Sequence, residues 1–160
     1  MRLEHLFDGE LVYADRGKWV QPYREDEWLG WAEGTGSIDG EQLSGAIRWL
    51  NHPRERPDAT WLPDHHVLIH TDDDATVFMR MVGLNLWEQV GNEYRGEIVM
   101  WATFAADAER YRWLDRTLAI IEAVSSAPSD MDDPQTERWQ LRGYTCVNEL
   151  AAPAPKSPMP

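Results

Sequence analysis

Arg48, Trp49, Asn51, His52, Arg54, Arg56, Asp58 and Asp64 bring guanidinium, imidazole, amide and carboxylate groups together in one short stretch. Each type has its own use. The planar arginine fork grips a carboxylate with two parallel hydrogen bonds, and a histidine beside a carboxylate moves protons near neutral pH. The stretch therefore suits a small molecule with an acidic or carbonyl group on an apolar body. Arg48 and Arg54 would orient an anionic or enolate-like group, and His52 or Asp58 would shuttle the proton. Trp49, Asn51, Arg56, Trp61 and Asp64 would complete the contacts. The same charges also have a plainer use, in which Arg54, Arg56, Asp58 and Asp64 pair with one another to pin a long loop.

Tyr94, Trp101 and Tyr111 are candidate cavity walls, with Glu97 beside them. A buried glutamate would have a raised pKa and could serve as an acid or base, whereas one facing outward would do neither. His65, His66 and His70 invite a metal reading that the geometry opposes, because four residues of strand span ~13 Å, too far for one ion. Asp64 and His66 remain a same-face pair.

Asp72, Asp73 and Asp74 lack the alternate ligand spacing, central glycine and distal glutamate of a calcium loop. Gly34, Gly36 and Gly40 are not framed by the strand, tight turn and long helix of a dinucleotide site. Cys146, the single cysteine, has no nucleophile motif around it and reads as a small core or wall residue. No metal and no cofactor are expected.

The formal net charge of −13 repels phosphate backbones and anionic lipid, so nucleic acid is not an expected partner. One cysteine cannot form an internal disulfide, and no basic segment followed by an apolar one opens the sequence, so a cytoplasmic protein is expected. No apolar run approaches the roughly 18 to 20 residues of a spanning helix, and no membrane role is expected. Nine tryptophans in 160 residues fill a core or a subunit interface, or line a cavity for an aromatic or apolar ligand.

The elements that would hold these groups are strands. Glycines fall between short stretches of alternating character, as strands joined by turns require. Leu43, Gly45, Ile47 and Trp49 share one face of a run ending near Leu50. His65–Thr71 and Thr76–Val82 read as a hairpin turning at Asp72–Asp74, because aspartate tolerates turn geometry. Tyr94–Phe104 is rich in strand formers, and Arg138–Leu150 alternates most cleanly. From Asp107, however, Tyr111, Leu114, Leu118 and Ile121 recur at helical spacing. Ser125–Gln135 reads as a loop and residues 151–160 as a disordered tail after a single domain over 1–150.

Gly34 to Gly83, GTGSIDGEQLSGAIRWLNHPRERPDATWLPDHHVLIHTDDDATVFMRMVG, resembles the bacterial family catalogued as domain of unknown function 3237. Thr103 to Asp115, TFAADAERYRWLD, resembles the same family's later motif. The resemblance implies an antiparallel β-barrel of lipocalin or calycin kind, with the helical pattern reduced to one short helix near Asp107 to Arg112. A strand would then start near Trp113 and run through Ile121. The sequence departs from that pattern at Asp73-Asp74-Ala75 and Asp58-Ala59, where Asp-Gly is expected, and at Asp115, where asparagine is. Two turns thus lose the residue that most easily adopts positive φ.

The reading is an all-β barrel that binds a small apolar or aromatic molecule. Either it is a cofactor-independent isomerase, cyclase or lyase, or it is a non-catalytic binding protein or homo-oligomeric scaffold.

Overall fold

The computed structural model describes residues 1–14, 17–22, 26–91, 93–128 and 138–151. Its strands are β1 (Arg2–Tyr13), β2 (Lys18–Val20), β3 (Trp28–Asp39), β4 (Gly45–Asn51), β5 (Arg54–Glu55) and β6 (Trp61–Leu62). They continue with β7 (Asp64–Thr71), β8 (Thr76–Val90), β9 (Glu93–Ala106), β10 (Ala119–Pro128) and β11 (Arg138–Val147). All pairings are antiparallel.

Eight of these strands close on themselves in the order β1, β3, β4, β7, β8, β9, β10, β11 and back to β1, while β2, β5 and β6 add short pairings outside the ring. Closure removes the free sheet edges that an open sheet would expose. It also turns alternation into an inside and an outside. Ile47 and Trp49 on β4, Val67 and Ile69 on β7, and Val77, Met79 and Met81 on β8 are buried together in one core. Leu6 and Phe7 are buried consecutively because a bulge breaks the β1–β11 register between His5 and Phe7. The core within the ring is mainly apolar, and ion pairs such as Arg80–Asp64, Arg110–Asp73 and Arg142–Asp8 lie on its outer face. Among the described residues no helix is long and apolar enough to cross a membrane.

Tertiary packing overrides the helical spacing after Asp107. The chain there makes 3₁₀ turns at Glu109–Tyr111 and Leu114–Arg116, and the strand expected from Trp113 begins at Ala119. The second turn drives Leu114, fully buried, into the end of the core. Two carboxylates hold the segment: Thr76 N–H donates to Asp107 Oδ1 at 2.9 Å and Ala106 N–H to Asp115 Oδ1 at 3.0 Å. Asp115 does this work at the position where the resemblance led asparagine to be expected.

The loop expected over Ser125–Gln135 is strand up to Pro128, because residues 125–128 find partners on β9. Residues 129–135 lie outside the described residues, as do 152–160 of the expected tail.

The hairpin at Asp72–Asp74 joins β7 to β8 as expected. Its turn places Asp74 at φ 65°, and the turn after Asp58 places Ala59 at φ 61°. These are the two positions where the resemblance led glycine to be expected. They are also the two non-glycine residues at positive φ among the described residues.

Candidate functional site

The barrel interior has two unlike ends. One is plugged by Leu114 and tied by Asp73, which accepts hydrogen bonds from Arg110, from Tyr111 Oη at 3.0 Å and from Thr71 Oγ1 at 2.7 Å. Arg110 beside it, with Thr71, holds the Asp73 carboxyl far below the usual range.

The opposite end gathers polar and aromatic side chains from strands far apart in sequence. His65, in phase with Val67 and Ile69 on β7, is fully buried. Its ring lies 5.4 Å from that of Trp49 and 5.1 Å from that of Trp139, tilted to both. Tyr13 packs edge-on to Trp49 at 4.7 Å. Trp49 can lie there because Gly34 has no side chain: a Cβ at that position would come within 2.5 Å of the indole.

Trp87, Gly96, Ser125 and Trp139 stand side by side across β8, β9, β10 and β11. Asn85 lies two residues from Trp87 on the same face. Asn85 Oδ1 and Ser125 Oγ both lean over Gly96, 2.7 and 2.5 Å from where its Cβ would be.

What sets this end apart is polarity without partners. Both ring nitrogens of His65, Asn85 Oδ1, Ser125 Oγ and Trp87 Nε1 are buried and meet no hydrogen-bond partner among the described residues. Buried polar groups are normally paired, because an unpaired one costs about 1–3 kcal/mol. Desolvation lowers the His65 pKa to about 3, so its imidazole is neutral at physiological pH. A neutral imidazole offers one donor and one acceptor, so His65 can bind a polar solute but supplies it with no counter-charge.

The stretch from Arg48 to Asp64 is divided by the strand pleat. Trp49 and Asn51 face the interior, and Asn51 Oδ1 accepts from Asp64 N–H at 2.9 Å. Arg48 is exposed on the outer face. Arg54 reaches Glu27 at 3.5 Å, and Arg56 pairs with Asp58 at 3.0 Å. Hydrogen bonds from Thr60 lower the exposed Asp58 carboxyl, with Arg56 adding to the effect.

Asp64 is gripped through both oxygens by Arg80, at 2.9 and 2.8 Å, which holds its carboxyl below the ordinary range, and His66 Nε2 sits 3.4 Å from it. The His52 ring packs edge-on to Trp31 at 4.5 Å and lies 6.1 Å from His66. His52, Arg54, Asp64 and Trp101 line one outer groove of about 850 Å³, with Leu84 and Val99 among its apolar walls. Asp58 and Arg48 are not among its lining residues.

Trp61 is half-buried between Trp19, 4.6 Å away, and Trp87, 6.4 Å away. Tyr111 packs against the core at the plugged end. Glu97 points outward, and the Tyr94 side chain lies outside the described residues. No group of residues among those described could hold a metal ion.

The interior residues were partly readable. His65 keeps the phase of Val67 and Ile69, and Ser125 that of Ile121 and Ala123. Nothing local indicates that they meet Trp139 or Gly96.

No family model and no curated protein matches the chain. Solved structures do. The chain superposes on a β-barrel-like protein from Acinetobacter baumannii AYE with a TM-score of 0.74 and 16% identity, over 90% of this chain and 94% of that one. A protein of unknown function from Clostridium acetobutylicum ATCC 824 aligns with a TM-score of 0.71 and 15% identity, over 90% and 97%. An enzyme from Penicillium herquei aligns with a TM-score of 0.57 and 18% identity, over 89% and 93%. At these identities the likeness shows the fold alone, a small β-barrel.

Proposed function

We propose that this chain binds a small, partly aromatic organic molecule inside the barrel, at the end carrying His65, and belongs with the domain-of-unknown-function 3237 proteins of lipocalin-like build. The observation that carries the reading is the presence at this end of five buried polar atoms with no hydrogen-bond partner among the described residues, with His65 set against the rings of Trp49 and Trp139. A ligand supplying hydrogen bonds would remove their penalty, and the rings would cover its apolar body. His65 is suited to polarising a carbonyl as a neutral donor, which fits a cofactor-independent isomerisation, cyclisation or lyase step better than base catalysis at its lowered pKa.

In this reading Trp49 and Asn51 contribute from inside. His52, Arg48, Arg54, Arg56, Asp58 and Asp64 act, if at all, from the outer face. Native mass spectrometry of the purified protein, followed by tryptophan quenching with phenols and lactones, tests it. A bound or saturably quenching molecule supports the reading. Loss of that response in His65→Leu but not in His52→Ala assigns it to the interior.

A second reading, a homo-oligomer, is favoured by one observation. Leu84, Leu86, Val99 and Trp101 are exposed apolar side chains on the outer wall of β8 and β9, with Val124 on β10 set apart from them by Glu97 and Glu122. Such a band on a barrel exterior marks a contact surface. Light scattering after gel filtration reads the oligomeric state directly.

A further inference from the structure

The outer groove of about 850 Å³ lies between the β5–β6 excursion and the wall made by β8, β9 and β10, and strand register arranges its lining in two rows. Arg54 stands opposite Leu62. Leu62 adjoins the Trp61–Asn85 pair and so comes beside Leu84, which stands opposite Val99. In the second row Asp64, Val82, Trp101 and Ile120 are successive partners across β7, β8, β9 and β10. Side chains directly opposite one another share a face, so each row is continuous.

The rows place charge at one end and apolar surface along the rest. Asp64 is held through both oxygens by Arg80, at 2.9 and 2.8 Å, and that pair presents little net charge to the groove. Arg54 is placed differently. It is exposed, and its contact with Glu27, at 3.5 Å, is longer than a good hydrogen bond and readily exchanged for another carboxylate. His52, two residues earlier, lines the same groove and can add a hydrogen bond from its ring.

From Arg54 to Val99 the first row crosses three strand spacings, about 14 Å. Leu84 and Val99 are 49% and 59% exposed, so this length of apolar wall is open to a ligand.

The geometry points to a second binding site here, for a linear amphipathic carboxylate whose head meets Arg54 and whose alkyl chain lies along Leu62, Leu84 and Val99 with Trp101 at its side. The planar fork of arginine suits a carboxylate head. This site goes beyond the interior reading and uses none of the interior residues. It shares its wall with the oligomer reading, so a ligand and a second copy of the chain compete for it. The net charge of −13 favours a cationic amphiphile over an anionic one, and a preference for the anion must therefore come from a local group such as Arg54.

Decanoate and decyltrimethylammonium carry the same alkyl chain and opposite charges. Each is titrated calorimetrically, below its micelle concentration, into the full chain and into Arg54→Gln, Leu84→Glu and His65→Leu. The expected result for the full chain is saturable binding of decanoate, with the cation weaker by about tenfold or more. Decanoate affinity should fall by a similar factor in Arg54→Gln, vanish in Leu84→Glu and stay unchanged in His65→Leu. Equal or tighter binding of the cation overturns the inference, as does decanoate binding unchanged in Arg54→Gln or Leu84→Glu. Loss of decanoate binding in His65→Leu overturns it too, by moving the ligand inside the barrel, and leaves the interior reading standing. Absence of decanoate binding overturns it and leaves the wall to a second copy. Circular dichroism and thermal melts of the variants separate loss of binding from loss of fold.

Discussion

The imidazole of His65 meets the indole of Trp139 with ring centroids 5.1 Å apart and planes at 65°, yet neither imidazole nitrogen has a hydrogen-bond partner among the described residues. The contact keeps the ring in place without satisfying its polarity. An unpartnered buried imidazole is destabilising, and in the proposed reading a ligand meets its nitrogens.

His65→Leu is therefore expected to stabilise the apo protein, or leave it unchanged, while removing ligand binding. Relief of two buried, unpartnered nitrogens is worth about 1–3 kcal/mol, offset by imperfect packing against Trp49 and Trp139. Urea denaturation reads the difference. A loss of more than about 2 kcal/mol would mean that His65 is a structural residue whose nitrogens are satisfied.

The same residue makes the fold acid-sensitive. Its folded pKa, about 3, lies below the ordinary 6.5, so below pH 6.5 the unfolded chain binds a proton that the folded one refuses. Stability falls as pH drops from 6.5 towards 3, at up to about 1.4 kcal/mol per pH unit, and His65 is fully neutral above that window. Denaturation midpoints of the native protein and His65→Leu should diverge as pH falls from 6.5 to 4. Parallel curves would refute the assignment.

Asp73 acts in a lower window. Its folded pKa is depressed by Arg110 and Thr71, so its contribution is complete above the unfolded value of 3.8 and is lost as pH falls further, through the folded value. Asp73→Asn should lower the melting temperature at neutral pH, and Arg110→Ala should add little to it because the two share one interaction. Full additivity in the double variant would separate them.

Ala59→Gly and Asp74→Gly should each stabilise. At φ 61° and 65° an L side chain is strained, and glycine relieves that strain at some cost in unfolded-chain entropy. The expected gain is about 1 kcal/mol for Ala59 and about half that for Asp74, since aspartate tolerates this region better than alanine. A destabilised Ala59→Gly in urea titrations would show that the turn adopts another conformation.

Trp101→Glu places a charge in the outer apolar band, where Trp101 is 44% exposed, so little core packing is lost. If the band joins copies of the chain, light scattering should show a smaller species with an unchanged circular dichroism spectrum. An unchanged mass would leave the band without that role.

Much of the barrel could be read from alternation. A period of two is local, so Ile47 and Trp49, Val67 and Ile69, and Val77 and Met79 declare their shared faces within a few residues of chain, and the Asp72–Asp74 turn declares its hairpin. Even the two strained turns were visible as glycines missing from a pattern. The helical spacing after Asp107 misled for the opposite reason. Spacing records which residues are apolar, but the need to plug the core with Leu114 and to pair β10 with β9 and β11 set the backbone there.

The candidate site lay further out of reach. The richness of Arg48 to Asp64 in charge was plain, but Arg48 faces outward, Arg54 reaches Glu27, Arg56 pairs with Asp58, and Asp64 is held by Arg80 from β8. His65, Asn85, Ser125 and Trp139 are separated by up to 74 residues, from 65 to 139. Local chemistry determines which way each side chain points along its own strand. Which side chains then face one another inside depends on how the ring closes and on the register of every pair around it, and only the folded barrel contains that information.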